Sequence, residues 1–160
     1  MLGLHPDEID RRFMTEGIEL ARKALVSEDV PVGALVVHDG RVIGRGYNQR
    51  EKLHDPTAHA EMLALTAAAE FLGQWRLDHC TMYVTLEPCA MCAGALVLAR
   101  VQRLVYGASD PKAGACGSLF TITQDSRLNH QVETIGGVLA EPAAQLLREF
   151  FQYRRSLGEK

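Results

Sequence analysis

Apolar residues recur at helical spacing through Ile9, Phe13, Ile18, Ala21 and Leu25, which predicts an amphipathic opening helix capped by Asp7, its stripe turned to the core. The period then changes. Residues 32–37 and Arg41–Tyr47 flank Asp39-Gly40, a pair that tolerates positive φ, so two antiparallel strands joined by a tight hairpin are expected. The polar run 49–56 reads as a surface loop leading into a helix capped by Thr57 after Pro56 and ended by Gly73. Thr81–Leu86, rich in β-branched and apolar residues, predicts a buried strand, with Cys89 opening a helix just behind Pro88. Residues 104–107 predict a short strand, 112–118 a Gly-rich irregular loop, and 132–138 a last strand weakened by Gly136-Gly137. Pro142 then opens a terminal helix whose apolar face carries Leu146, Leu147, Phe150 and Phe151. Trp75 and Tyr83 are expected to pack.

Helices interleaved with strands after an initial hairpin imply an α/β sandwich, a mixed sheet with helices on both faces. Sites in such folds favour the carboxyl ends of strands. At 160 residues and 47% hydrophobic content, without internal repeats, the chain is expected to form one domain over 1–160. A net charge of -3 argues against a general nucleic-acid coat but leaves room for a local basic patch. Residues 1–12 lack a basic segment followed by an apolar run, and no stretch is apolar enough to span a bilayer, so a cytoplasmic enzyme without a membrane segment is expected.

Two short motifs supply the chemistry. His59-Ala60-Glu61 and, about thirty residues on, Cys89-Ala90-Met91-Cys92 offer one imidazole, two thiols and one unspent carboxylate. Cysteines three apart on a helix face the same side, and helix starts favour the thiolate that binds metal. Three protein ligands leave the fourth tetrahedral position of a zinc ion for water, where a structural site closes with four. Glu61, beside such a water, can accept its proton and later donate it. A lone C-x-x-C reads equally as a redox motif; the paired His-x-Glu makes catalytic zinc the better reading.

The chain resembles the bacterial tRNA-specific adenosine deaminases of the cytidine deaminase-like superfamily. The likeness is carried by Val30-Pro31-Val32-Gly33-Ala34, Arg41-Val42-Ile43-Gly44, His54-Asp55-Pro56-Thr57-Ala58-His59-Ala60-Glu61, Tyr83-Val84-Thr85-Leu86-Glu87-Pro88-Cys89, Met91-Cys92-Ala93-Gly94-Ala95, Gly117-Ser118-Leu119, Asn129-His130 and Phe150-Phe151. The metal motif is common to the superfamily. The later pieces are more particular to the tRNA enzymes.

What the resemblance implies is a three-layer α/β/α sandwich with a mixed five-stranded sheet, a homodimer, one zinc per chain on His59, Cys89 and Cys92, and Glu61 as general acid and base. The substrate would be adenosine at the wobble position of a tRNA anticodon stem-loop, converted to inosine. The flipped base would be held by Val32 and Asn48 and by backbone around Ala58 and Leu86, with Asp110 near the ribose. Asn48 reads otherwise as a turn residue ending the second strand, and Asp110 as a turn acid before Pro111. Ser109 stands where similar enzymes often carry a basic residue, and Pro111 also departs from their pattern.

Lys112, Arg148, Arg154 and Arg155 could pair phosphates while Phe150, Phe151 or Tyr153 stacks on a base; the alternatives are a packed Phe pair and solvated cations. Cys80 and Cys116 read as packed small hydrophobes, and His5, His38, His54, His79 and His130 as surface or hydrogen-bonded residues. Other functions open at this point are a free-base or nucleoside deaminase acting on guanine or cytosine, and an inactive zinc-binding subunit. Glu61 argues against the last, since a structural site has no use for a positioned carboxylate.

Overall fold

The computed structural model describes residue 3 and residues 5–159, so residues 1, 2, 4 and 160 of the expected single domain lie outside the described residues. Five strands, β1 (Gly33–His38), β2 (Arg41–Tyr47), β3 (Thr81–Leu86), β4 (Arg103–Ala108) and β5 (Glu133–Ile135), form one sheet in the order β2-β1-β3-β4-β5. β1 is antiparallel to β2 and β3, while β3, β4 and β5 run parallel. The mixed sheet expected from the chain pattern is therefore present.

Side chains alternate between two cores, as the period of two demands. Ala34, Val36, Met82, Val84, Leu104 and Tyr106 face one core, shared with helices α3 (Ala60–Leu72) and α4 (Ala90–Leu98). Leu35, Val37, Tyr83 and Val105 face the other, covered by α1 (Pro6–Lys23) and by Leu146 of α5 (Ala140–Ser156). The short helix α2 (Arg50–Leu53) interrupts what reads in sequence as a plain surface loop.

Local signals were mostly placed correctly, with departures at the helix caps, the last strand and a few exposed apolar residues. The α1 cap is His5, whose ring accepts from the Asp7 amide while Glu8 reaches back to the His5 amide, so Asp7 lies inside the first turn. Ile9 and Leu25 at the margins of its stripe are exposed; Met14, Ile18 and Ala21 carry the buried face. Thr57 does not cap α3, because its amide and hydroxyl are both spent on Asp55, and the amide of Ala60 instead donates to Asn48 Oδ1 at 2.9 Å. β5 is only three residues long: Gly136 lies against the Tyr106 ring and Gly137 turns at φ 90°. The terminal helix begins at Ala140, with Pro142 inside its first turn, where no amide proton is required. Tyr83 packs as expected, whereas Trp75 is 62% exposed beside Arg76.

Beneath α1, a buried polar link ties the second core together. Asp10 takes two bonds from Arg103 at 2.8 and 2.6 Å and the Tyr83 hydroxyl at 2.7 Å. Burial opposes its charge, but these donors win and hold its pKa below the usual carboxylate value.

The approach of α3 to β2 fixes where the His59 segment sits. A Cβ on Gly46 would lie 2.3 Å from the Ala60 carbonyl and 2.8 Å from the Ala64 amide, so backbone meets backbone there. Gly46→Ala is expected to cost about 1–3 kcal/mol in urea unfolding, because rigid main chain must move. A loss under about 0.5 kcal/mol would mean that the helix is free to slide.

Candidate active site

Two helix starts converge at the carboxyl end of β3. His59 is the N-cap of α3 and Cys89 the N-cap of α4, both with extended backbone, and Cys92 follows in the first turn of α4. The His59 Nδ1 nitrogen lies 3.7 Å from Cys89 Sγ and 3.6 Å from Cys92 Sγ. All three ligand atoms fall within 4.8 Å of one another.

This donor set fits zinc. Tetrahedral coordination with bonds of about 2.3 Å to sulfur and 2.0–2.1 Å to nitrogen requires N···S separations of about 3.5–3.6 Å, close to those present. The electrostatics favour the thiolate at Cys89. Hydrogen bonding from Cys92, then from His59, drives the Cys89 thiol down to about 3 despite its burial, while Cys92, which keeps the shared proton, moves up. His59 is raised chiefly by its contact with Cys89. A bound divalent cation would displace the proton Cys92 keeps and take both sulfurs as thiolates, and no other group of three potential ligands occurs among the described residues.

Glu61 sits one residue inside α3, buried at 4% exposure. Burial raises its pKa, partly offset by its own backbone amide and Cys92. It shares a cavity of about 160 Å³ with Val32, Asn48, His59, Leu86, Cys89 and Asp110. Asn48 fits the turn reading and also lines this cavity. It follows β2, its Oδ1 holds the start of α3, and its amide nitrogen has no protein partner among the described residues. Ala58 does not line this cavity: its amide bonds Asp55 and its carbonyl accepts from Gln49, so its backbone groups are already engaged.

The cavity opens into a groove of about 940 Å³, and the two share Val30, Arg50, Leu86 and Asp110. Lys112, Arg148, Phe150, Phe151, Arg154 and Arg155 all line the groove, although they lie far apart in sequence from the metal motif. Their conditions differ. Arg148 is paired with Glu141 and Gln145, and Arg154 with Glu159 and the Glu28 carbonyl. Lys112 and Arg155 have no carboxylate partner among the described residues. Phe150 is packed at 8% exposure, while Phe151, edge-on to it at 5.3 Å, is 44% exposed.

Sequence reasoning missed three residues that shape these walls. Arg50 stands where cavity and groove meet, donating through Nε and Nη2 to Asp29 Oδ1 at 3.2 and 3.0 Å. The buried Asp29 carboxylate also accepts from the Val30 and Glu51 amides, tying α2 to the segment before β1. Glu87, buried at 2% exposure, accepts from Asp110, Cys116 and Ser118. A carboxylate directly before Pro88-Cys89 was the available signal; nothing local marked Asp29 or Arg50.

The MafB19-like deaminase family matches residues 9–155, so fold and site together define a deaminase domain. Two curated relatives named tRNA-specific adenosine deaminase are similar along most of the chain. That of Bacillus subtilis is 48% identical, covering 91% of both chains, and that of Haemophilus influenzae 50% identical, covering 92% of this chain and 86% of its own. A structure solved in studies of A-to-I editing by tRNA:A34 deaminases at the wobble position superposes with a TM-score of 0.82 at 43% identity, over 85% of this chain and 99% of that one. A guanine deaminase from Nitrosomonas europaea has the same fold at 25% identity and TM-score 0.76, over 94% and 86%. The chain belongs to the tRNA-specific adenosine deaminase family.

Proposed function

We propose that this protein hydrolyses adenosine to inosine and ammonia at the wobble position of a tRNA anticodon stem-loop, using one zinc ion per chain. The observation that carries this reading is the buried Glu61 carboxylate facing the same cavity as the His59, Cys89 and Cys92 donors, with a cation-bearing groove at its mouth. Support for the tRNA substrate comes from relatives at 44–50% identity, well above the 25% of the guanine deaminase.

In this reading His59, Cys89 and Cys92 hold the metal. Bound there, zinc would supply the Lewis acidity that makes water a nucleophile near neutral pH. Glu61 would accept a proton from the attacking water and deliver it to N1 of the purine as the oxygen of that water adds at C6. A second transfer, moving the proton of the new C6 hydroxyl to the exocyclic nitrogen, would let ammonia leave as the C6 carbonyl of inosine forms. Burial raises the carboxyl pKa above the usual carboxylate value, the direction that favours holding the proton between the two transfers. Val32 and Leu86 flank the base, Asn48 offers its unpaired amide to the base or ribose edge, and Asp110 accepts from the ribose. A single-stranded anticodon loop suits the cavity, since the base must leave its stack to enter. The backbone near Ala58 acts indirectly, by positioning His59.

The test is to incubate the zinc-loaded protein separately with an anticodon stem-loop carrying adenosine at the wobble position, free adenosine, cytidine and guanine. Inosine is expected from the stem-loop. Turnover of guanine without turnover of the stem-loop would overturn the substrate while leaving the metal chemistry intact. The same reading takes residues 1–160 as one domain acting in the cytoplasm as a homodimer, a state that sedimentation at micromolar concentration would reveal. Among the described residues no helix is long and apolar enough to cross a membrane.

Groove contacts divide by whether each cation is already engaged. Lys112 and Arg155 meet the phosphates, with Phe151 as the exposed stacking ring, while Arg148 and Arg154 also hold the groove wall. Replacing Lys112 and Arg155 together by Ala is expected to reduce the salt slope of stem-loop binding by about 1.4, at about 0.7 per phosphate on single strands. An unchanged slope would remove both residues from the interface.

A further inference from the structure

We propose that Glu87 is a positioning residue for substrate binding: its buried carboxylate shapes the loop that forms one wall of the cavity. Glu87 ends the β3 connection, its amide donating to the Ala108 carbonyl at 2.8 Å. Its Oε1 accepts from the Asp110 amide at 3.0 Å and from the Ser118 hydroxyl. Its Oε2 accepts from the Cys116 amide at 3.1 Å and the Ser118 amide at 3.0 Å. One side chain thus collects three main-chain donors and a hydroxyl from residues 110–118.

The loop closes on that carboxylate with no room to spare. A Cβ at Gly114 would lie 2.3 Å from Glu87 Cδ and 2.5 Å from the Asp110 carbonyl. Ala115 in turn donates to the Pro88 carbonyl at 2.8 Å, between Glu87 and Cys89. What the loop presents is functional surface: Asp110 and Ala113 to the cavity, Asp110 and Lys112 to the groove. The irregular stretch 112–118 therefore takes much of its shape from one residue far upstream in sequence, alongside the Asp110 carboxylate that accepts from the Lys112 and Ala113 amides. Irregular backbone lacks a ladder to satisfy its amides, and a buried acceptor set replaces the ladder.

The inference rests on the proposed activity, and its tests separate the two. Glu87→Gln keeps the volume but turns an NH2 toward one pair of donors, leaving them unpaired. The KM for the wobble-adenosine stem-loop is expected to rise by about tenfold or more, the cost of unpaired buried donors expressed as affinity. The kcat should stay within about threefold and zinc at one per chain, because the proton shuttle is not moved. Gly114→Ala, which displaces the loop from its other side, should reproduce that split. Amide exchange gives a readout independent of turnover: Asp110, Cys116 and Ser118 should exchange at least about tenfold faster in Glu87→Gln, while the α3 amides stay protected. A wild-type KM in both variants, or unchanged exchange at the three amides, would overturn the proposal. A variant that loses kcat and zinc together with KM unchanged would also overturn it, by assigning Glu87 to the metal helix. A wild-type protein inactive on the stem-loop would instead refute the proposed function.

Discussion

Glu61→Gln should lower kcat on the wobble-adenosine stem-loop by roughly 10²–10⁴-fold, the range that a positioned general acid and base contributes, while zinc stays at one per chain. The argument is geometric. Glu61 lies two residues past His59, inside the first turn of α3, buried and facing the cavity. The three ligand atoms belong to His59, Cys89 and Cys92, and their separations already match a tetrahedral ion without a carboxylate oxygen. Gln fills the same space and can hydrogen-bond, but it cannot carry a proton from water to the ring nitrogen. Binding should be weakened far less than turnover, since the substitution removes an interaction used in the transition state. Inosine formed at saturating stem-loop, read beside elemental zinc, decides the matter. Activity within about threefold of wild type would remove the shuttle, and loss of zinc would make Glu61 a ligand.

How much of this was legible in the sequence follows from how local each signal is. The hairpin at Asp39-Gly40, the β3 strand and the Gly73 helix end each depend on a few adjacent residues, and all fall where the chain pattern puts them. The convergence of His59, Glu61, Cys89 and Cys92 was legible for the same reason, since one helix start and one C-x-x-C hold all four residues. The α3 cap was not. Its acceptor comes from Asn48, twelve residues upstream, while the nearby Thr57 is drawn off by Asp55. Propensity sees the neighbour and misses the partner that folding delivers.

The cavity walls make the same point more strongly. Asp29 reaches across 21 residues to Arg50, and Glu87 across 31 to Ser118. Both carboxylates are buried, and both organise irregular segments that hold no hydrophobic period to read. Trp75 errs in the other direction: its size argues for burial, yet it lies past the end of α3 with no core above it. The cations named from the sequence do line one groove, but their division into paired and unpaired members depends on Glu141 and Gln145 of α5 and on Glu159 after its end.

Cys89→Ala should weaken zinc binding by more than about 100-fold, the upper end of what changes to ligand-supporting residues cost, and reduce deamination to background. Cys116→Ala is the matched control. Its thiol is buried near the Pro88 carbonyl, and burial raises its pKa to about 12, so it remains a neutral packed group with no metal to lose. The Cys89 variant should nonetheless fold, because α3 and α4 are held to the sheet by Ala60, Ala64, Ala68, Ala93, Leu96 and Val97, all buried in one apolar core. Far-UV circular dichroism should therefore be retained while zinc linkage disappears. Added zinc at about 100 times its dissociation constant stabilises a competent site by about 2.7 kcal/mol, so the melting temperature of apo wild type should climb with zinc and that of Cys89→Ala should not. Stoichiometric zinc in Cys89→Ala, or a collapse of its secondary structure matched by apo wild type, would show that the ion is held or used otherwise than His59, Cys89 and Cys92 imply.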